Sequence, residues 1–247
     1  MQDTTPTGRQ LVWDLPTRVF HWALAISFAG AYLLSEQDGA RTFHVMFGYT
    51  VAGLVAFRLL WGFVGSRHSR FSDFAFSPAA ALRYLRDLAG GRARDYEGHN
   101  PAGSWAIYAL LALAGATAVT GWLHYNAGGG ERFEEIHEVL ANAWLVMVVI
   151  HVAGVIIGSL AHRRNLVATM ITGRRAGAGM TGMAGTRPGW VLGSALLATV
   201  LGFWTWSATT GGGSLLAGAE GSASGHEQDG ADAGERGGDE HEDEDDD

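Results

Sequence analysis

The sequence predicts an all-α integral membrane protein that ends in a disordered acidic tail. The prediction rests on long apolar runs within the first 207 residues, an uneven distribution of arginine and a strongly acidic C-terminal segment. A membrane-spanning helix needs roughly 20 predominantly apolar residues to cross a hydrocarbon core of about 30 Å. Five segments meet or approach this length, at residues 18–34, 44–64, 103–124, 138–160 and 189–207.

Arginine placement predicts how these spans cross the membrane. The sequence has no lysine, and all 17 of its basic residues are arginine. Thirteen of them lie at the N-terminal end or in the connections 66–102 and 161–188, and three lie on the opposite side. Because cytoplasmic loops carry an excess of basic residues, we expect a multi-pass protein of the bacterial inner membrane. Its N-terminus is cytoplasmic and its C-terminal tail periplasmic.

Cysteine is absent from the sequence. This excludes disulfides, thiolate-ligated iron–sulfur clusters and covalent attachment of a c-type haem. The stretch from Gly177 to Gly182 formally matches a G-x-G-x-x-G motif. It follows an apolar span and an arginine-rich turn, with no strand before it, so we do not interpret it as a dinucleotide-binding motif.

A histidine inside the fourth apolar segment indicates a cofactor. His151 lies between Leu145 and Ile157 with no carboxylate nearby. An unpaired imidazole in hydrocarbon is costly, so it needs a partner, and a metal ion or haem iron is the natural one. His137 precedes it by fourteen residues, close to four helical turns, which puts both side chains on nearly one face about 21 Å apart. This distance is too long for one metal site and suits two cofactors stacked across a bilayer.

The direction of each span supplies partners for these two histidines. His21 lies near the cytoplasmic face and His44 near the outer face, while His137 is shallow on the outer side and His151 lies deeper. Matching by depth predicts an inner haem b held by His21 and His151 and an outer haem b held by His44 and His137. His124, at the outer end of the third span, is the alternative to His44 or His137, or a contact for quinone.

Other polar residues have weaker assignments. Arg58, in the inner half of the second span, is expected to pair with a propionate of the inner haem or to extend toward the cytoplasmic face. Five further histidines are expected to be hydrated rather than ligating: His68, His99, His162, His226 and His241. Several span glycines are expected either to admit haem edges or to pack helices: Gly48, Gly53, Gly115, Gly121, Gly154 and Gly158.

Three features resemble the bacterial and nickel–iron-hydrogenase type of cytochrome b561. They are Trp13-Asp-Leu-Pro-Thr-Arg-Val-Phe-His21-Trp, the His44-x-x-x-Gly48 start of the second span, and the spacing of His137 and His151. The resemblance covers about residues 10–176 and implies a four-helix membrane bundle with two bis-histidine haems b that exchange electrons with quinone. Family members act as free carriers or as membrane anchors of hydrogenases and related dehydrogenases. The short 35–43 loop, the fifth span and the acidic tail depart from the family pattern.

These observations divide the chain into three parts. Residues 1–176 form the predicted di-haem cytochrome b domain, residues 177–207 a linker and fifth transmembrane helix, and residues 208–247 the disordered tail. Residues 220–247 carry thirteen acidic residues and one arginine, so the rest of the chain sums to +4. The tail is either only a solvated segment, or it attracts a basic redox partner such as a soluble cytochrome c electrostatically.

Bis-histidine ligation fills both axial positions of an iron, so the expected chemistry is one-electron transfer rather than oxygenation. We expect a carrier that passes single electrons between the quinone pool and a periplasmic redox protein, either a cytochrome c or a dehydrogenase. The alternatives are a stand-alone quinone-linked oxidoreductase of a small reductant such as superoxide, and a membrane anchor subunit of a hydrogenase or dehydrogenase complex. A transporter or metal channel that uses the same histidines is a further alternative.

Overall fold

The computed structural model describes residues 9–37, 39–128, 130–175 and 187–210. Its helices and strands, in chain order, are β1 (Gln10–Leu11), α1 (Leu15–Leu33), α2 (Arg41–Val64), α3 (Pro78–Ala89), α4 (Pro101–Asn126), α5 (Gly130–Ala161), α6 (Leu166–Thr172), β2 (Arg174–Arg175) and α7 (Arg187–Thr210). Two single 3₁₀ turns, Arg67–Ser69 and Phe71–Asp73, precede α3. The Gly177–Gly182 motif and the acidic tail lie outside the described residues.

Local capping fixes where the helices begin. The Asp14 carboxylate accepts from the Thr17 amide at 3.0 Å at the start of α1, and the Asn100 side chain accepts from the Gly103 amide at 2.7 Å at the start of α4. A proline follows each cap in the first turn, where its missing N–H leaves no helical bond unmade. These caps satisfy amide groups that would otherwise be unpaired at the helix ends.

All five predicted spans are helical. Among the described residues, four helices are long and apolar enough to cross a membrane: Arg41–Val64, Pro101–Asn126, Gly130–Ala161 and Pro188–Thr210. The remaining one, α1, has 19 residues and a length of about 28 Å, but Arg18 and His21 make it less apolar. Helix α5 begins eight residues before the predicted residue 138, so His137 and His151 belong to one continuous helix.

The helices form the predicted bundle. Helix α1 packs against α2, α2 against α4, and α4 against α5. The contact of Phe28 with Trp144, 4.4 Å between ring centroids, joins α5 back to α1. The fifth long helix, α7, lies outside this ring of four and packs against α1 and α2. The all-α four-helix bundle with a fifth C-terminal helix is therefore confirmed.

Apolar residues face both inward and outward, as a lipid environment requires. Two buried clusters fill the bundle, one of Phe20, Ala23, Leu54, Leu111 and Val200 and one of Phe28, Val51, Val55, Ala114 and Trp144. The outward faces stay apolar, with Leu60 70%, Val146 59% and Ile156 53% exposed. The chain is a multi-pass membrane protein.

Backbone pairing defines one end of the bundle, here called the inner end. Strands β1 and β2 are antiparallel, with Gln10 opposite Arg175 and Leu11 opposite Arg174. The Val12 amide donates to the Gly173 carbonyl at 2.8 Å. These bonds place the start of α1 beside the end of α6, so the C-terminal ends of α2 and α5 lie at this inner end too.

Close approach of α7 to α1 generates a prediction about stability. A Cβ atom at Gly193 would lie 2.6 Å from Leu15 Cγ, whereas one at Gly202, on the same helix, would have nothing within 4 Å. Both Gly→Ala changes gain helix propensity, but only Gly193→Ala also forces an overpacked contact, which costs about 1–3 kcal/mol. Thermal unfolding in detergent should therefore show Gly193→Ala as the less stable of the two variants. Equal midpoints would contradict the α1–α7 packing described here.

Candidate functional site

The structure brings His21 and His151 together near the inner end of the bundle. His21 lies on α1, His151 lies on α5, and their ring centroids are 6.4 Å apart. The Nδ1 atom of His21 is buried and has no hydrogen-bond partner, and its ring packs edge-on against Trp22 at 5.1 Å. We call these two histidines the inner pair.

His44 and His137 face each other in the same way toward the other end. Their ring centroids are 6.1 Å apart, and the rings belong to α2 and α5. Each ring has a backbone partner on a third helix: His44 Nδ1 donates to the Ala31 carbonyl at 2.8 Å, and His137 Nδ1 donates to the Thr117 carbonyl at 2.9 Å. A carbonyl on Nδ1 fixes the tautomer and leaves Nε2 free for a metal. We call these two histidines the outer pair.

Both ring separations match the width of a metal ion held between two imidazoles. A metal–imidazole bond is about 2.0–2.1 Å, and the bonded nitrogen lies about 1.1 Å from its ring centroid. Two such bonds in line therefore predict centroids about 6.3 Å apart, close to the observed 6.4 and 6.1 Å. Each pair is therefore spaced so that it could hold one metal atom between its two imidazoles.

The metal in each pair needs further ligands that the surrounding side chains do not supply. Within the described ranges, no group of three or more His, Cys, Asp or Glu side chains is placed to hold a metal ion. A haem iron fits this arrangement, because the macrocycle provides four nitrogens and the protein needs only two axial ligands. Each pair of imidazoles therefore fits a haem better than a metal ion held by side chains alone.

Glycines make room beside three of the four rings. A Cβ atom at Gly121 would lie 2.8 Å from the His137 ring, so only glycine allows α4 to approach this side chain. Gly48, one turn from His44, and Gly154, three residues from His151, have nothing within 4 Å of an added Cβ. Gly154 is exposed and Gly48 is half-buried, so an added side chain would meet no neighbour at either position. By contrast, Gly115 and Gly158 face Val55 and Leu166 at ordinary packing distances.

His124 and Arg58 occupy distinct positions. His124 is half-buried in the last turn of α4, where its Nδ1 lies 3.3 Å from the Gly130 carbonyl, and the ring that faces His137 is that of His44. Arg58 is 3% exposed and donates from Nη1 to the Ser69 carbonyl at 2.8 Å. Of the two roles expected for Arg58, the structure shows its extension toward the inner end; a propionate contact stays a prediction.

Two histidines of the inner connection differ from expectation. His68 is 4% exposed and bonds through Nδ1 to Asp73 at 2.8 Å, and His99 packs between Trp13 and Phe74 at 4.6 and 4.5 Å. The expectation of hydration is wrong for His68, and His99 is half-buried with its Nδ1 atom buried, because the 66–100 connection folds back over the helix ends. Burial, together with the charges of Arg58, His68 and His151, lowers the pKa of His99 to about 3. The phenylalanines at 71, 74 and 76 of this polar connection could have indicated from the sequence that it packs against the bundle.

Three of the five histidines expected to be hydrated remain. His162 is half-buried, and its Nε2 lies 3.3 Å from the Tyr84 hydroxyl. His226 and His241 lie outside the described residues.

A bundle of membrane helices that presents two facing pairs of imidazoles has the build of a membrane cytochrome. The family model for prokaryotic cytochrome b561 matches residues 12–173, which include all four histidines and helices α1 to α6. The chain belongs to the prokaryotic cytochrome b561 family. It is accordingly a membrane b-type cytochrome, a haem-binding electron-transfer protein, and α7 lies beyond the matched residues.

Curated relatives agree with this membership. The chain is 28% identical to the probable Ni/Fe-hydrogenase B-type cytochrome subunit of Rhodobacter capsulatus, over 66% of this chain and 80% of the relative. It is 27% identical to the protein of the same description from Cupriavidus necator, over 66% and 86%, and 23% identical to that of Rhizobium leguminosarum bv. viciae, over 66% and 87%. No solved structure matches the chain.

The contact between Gly121 and the His137 ring generates a prediction. Gly121→Ala places a methyl group where the ring lies, so we expect the ring to move and the haem content of the purified protein to fall by up to half. Gly115→Ala is the matched control on the same helix, because its Cβ would lie 3.8 Å from Val55. Pyridine haemochrome absorbance per chain measures the difference. Full haem content in Gly121→Ala would show that this contact does not position His137.

Proposed function

We propose that the protein is a di-haem cytochrome b that passes single electrons across the membrane between two haems held by its two histidine pairs. The inner pair, His21 and His151, holds one haem b, and the outer pair, His44 and His137, holds the other. The observation that carries the proposal is the presence of two imidazole pairs at iron-ligand separation, displaced by fourteen residues of one helix. That displacement corresponds to about 21 Å along the axis.

The protein's own residues define the chemistry. A haem held by each pair would supply one-electron chemistry, and two histidine ligands would leave no position for oxygen or substrate to bind. The carbonyls of Ala31 and Thr117 orient the outer rings, and this support fixes which nitrogen faces the iron. Phe28 and Trp144 pack between the two levels and exclude water from the path between the pairs.

Charge placement supports a direction across the bacterial inner membrane. The arginine-rich connections lie at the inner end, so we infer a cytoplasmic inner end and a periplasmic outer end. Helix α7 leads to the outer end, because Trp204 donates to the Thr50 hydroxyl of α2 at 2.9 Å and packs against Phe47. The acidic segment 220–247 follows this end of α7 in the sequence. We infer that electrons pass between quinone and a periplasmic redox protein.

The similarity to hydrogenase-type cytochromes favours a second role for the same site. The relatives carry the description of a probable Ni/Fe-hydrogenase B-type cytochrome subunit. We propose that this chain acts in the same manner as a membrane anchor subunit for a hydrogenase or related dehydrogenase, and that its haems connect the enzyme to quinone. Copurification of such an enzyme with the chain from its native membrane would distinguish an anchor subunit from a free carrier.

Single His→Leu changes test the ligand assignment. We expect His21→Leu and His151→Leu to lose the same haem, and His44→Leu and His137→Leu to lose the other, because one axial bond does not hold the macrocycle in hydrocarbon. Haem content should fall from two to one per chain. The two variants of one histidine pair should retain the same haem and therefore show the same midpoint potential. His124→Leu is the control and should keep both haems.

Two results would contradict this assignment. Loss of a haem from His124→Leu, with both haems retained in His44→Leu, would show that His124 and not His44 is the ligand of the outer haem. The absence of a b-type α-band from the wild-type reduced-minus-oxidised spectrum would remove the haem proposal altogether.

A reconstituted electron-transfer assay tests the two partners. We expect a quinol to reduce the purified protein and the protein to reduce a basic soluble cytochrome c. Deletion of residues 220–247 removes a net charge of −12, so the rate should fall several-fold at low salt and match the full chain at high salt, where screening is strong. A rate that the deletion leaves unchanged at low salt would show that the acidic segment does not attract the acceptor. Failure of quinol to reduce either haem would contradict the quinone assignment.

A further inference from the structure

Polar side chains at the inner end form a buried network in which most groups are satisfied. One carboxylate oxygen of Asp14 accepts from the Thr17 amide, and the other accepts from Trp61 Nε1 at 3.1 Å. The hydroxyls of Thr17 and Ser69 are 2.6 Å apart, and the Ser69 carbonyl accepts from Arg58. This degree of pairing is what burial of polar groups demands.

Several buried polar atoms toward the inner end lack partners, among them Nε of Arg18 and of Arg175 and Nδ1 of His21, and two more lie around Phe74. Nδ1 of His99 and the hydroxyl of Tyr108 are buried and make no hydrogen bond. Both side chains contact the ring of Phe74, His99 at 4.5 Å and Tyr108 at 5.6 Å between centroids. The Arg58 guanidinium lies 5.7 Å over the same ring. A cation and two unpaired polar groups thus surround one aromatic side chain.

A second histidine and a second tyrosine at the inner end do have partners. His68, in the same connection, has its Nδ1 bonded to Asp73. Tyr84, also at the inner end, has its hydroxyl beside His162 Nε2. A buried donor without an acceptor costs about 1–3 kcal/mol, so an absent acceptor is the simplest explanation for His99 and Tyr108.

Helix positions place this cluster near the level of the inner pair. His21 lies six residues from the inner end of α1, Arg58 six residues from that of α2, and Tyr108 seven residues from that of α4. At 1.5 Å per residue these depths are all about 9–11 Å. His151 is also among the groups whose charge lowers the pKa of His99.

The chemistry of the three groups defines what they bind. A neutral imidazole and a phenol each offer one hydrogen-bond donor, and arginine offers several together with a positive charge. Together they suit an anionic acceptor such as a carboxylate. A haem b carries two carboxylates along one edge of its ring.

We propose that His99 and Tyr108, together with Arg58, bind the carboxylates of the haem held between His21 and His151. This inference rests on the proposed ligation of that haem. The propionate contact expected of Arg58 is thereby extended to Tyr108 on α4 and to His99 in the connection before it. His99 and Tyr108 are positioning residues: they anchor the edge of the inner haem and adjust the electrostatic potential at its iron.

The test uses the full-length protein purified with its haems. His99→Phe keeps an aromatic ring between Trp13 and Phe74 and removes the donor. We expect the midpoint potential of the inner haem, identified as the one lost from His21→Leu, to shift downward while the outer haem is unchanged. The reason is that loss of a donor leaves more negative charge near the iron, which disfavours an added electron. His99→Gln keeps an N–H donor and should restore most of the shift.

Two further variants complete the design. Tyr108→Phe removes a single hydroxyl, so it carries the test if His99→Phe fails to assemble, and it should shift the inner potential in the same direction. His162→Phe is the matched control, because its ring nitrogen already has Tyr84 as a partner, and it should leave both potentials unchanged.

Three outcomes would overturn the inference. The first is an equal shift in His99→Phe and His99→Gln, which would indicate an effect of packing alone. The second is a shift confined to the outer haem. The third is an unchanged potential in both His99→Phe and Tyr108→Phe, which would indicate that water satisfies these groups. If the wild-type protein contains two haems and the variants at His99 and Tyr108 leave the midpoint potentials unchanged, the assignment of the four histidine ligands still holds. Wild-type protein without haem would instead refute the proposed function itself.

Discussion

An imidazole placed in hydrocarbon is costly unless it has a partner, and the bundle is arranged around this requirement. His137 and His151 lie on one uninterrupted helix, α5, so the backbone hydrogen bonds of that helix set the distance between the two levels. Helices α1 and α2 then run in opposite directions, which brings His21 to the inner level and His44 to the outer level. The order and direction of the four helices therefore follow from the need to pair each α5 histidine with a second ring.

The space between the two levels is filled by aromatic packing. Trp144 lies seven residues from each histidine of α5, and Phe28 lies seven residues after His21. Their rings are in contact at 4.4 Å, and Trp144 is 4% exposed. Because close-packed rings leave no room for water, this contact separates the inner pair from the outer pair. Trp144 is thus part of the core rather than of the aromatic belt at the membrane surface.

The sequence was sufficient to predict the histidine pairs, because depth depends only on helical rise and on the direction of each span. The same geometry predicted five helical segments within a few residues of their observed bounds. It missed the early start of α5, where Glu131 begins a polar turn that continues the helix beyond the apolar run. It also missed the burial of His68 and His99, since this depends on the tertiary folding of the 66–100 connection around Phe71 and Phe74. The partner of Arg58 at Ser69 was unpredictable for the same reason.

The two pairs are held by different kinds of interaction, and this makes them depend on different parts of the fold. The outer rings donate to carbonyls of α1 and α4, so their orientation is complete once the long helices pack. The inner pair has no such bond on His21 Nδ1, and the inner connection, which includes His99 and bonds to Arg58 of α2 through Ser69, folds over the same end of the bundle. The geometry of the inner site therefore depends on a connecting segment as well as on the helices. Variation in that connection can adjust the inner site while the helix backbone keeps the outer site constant.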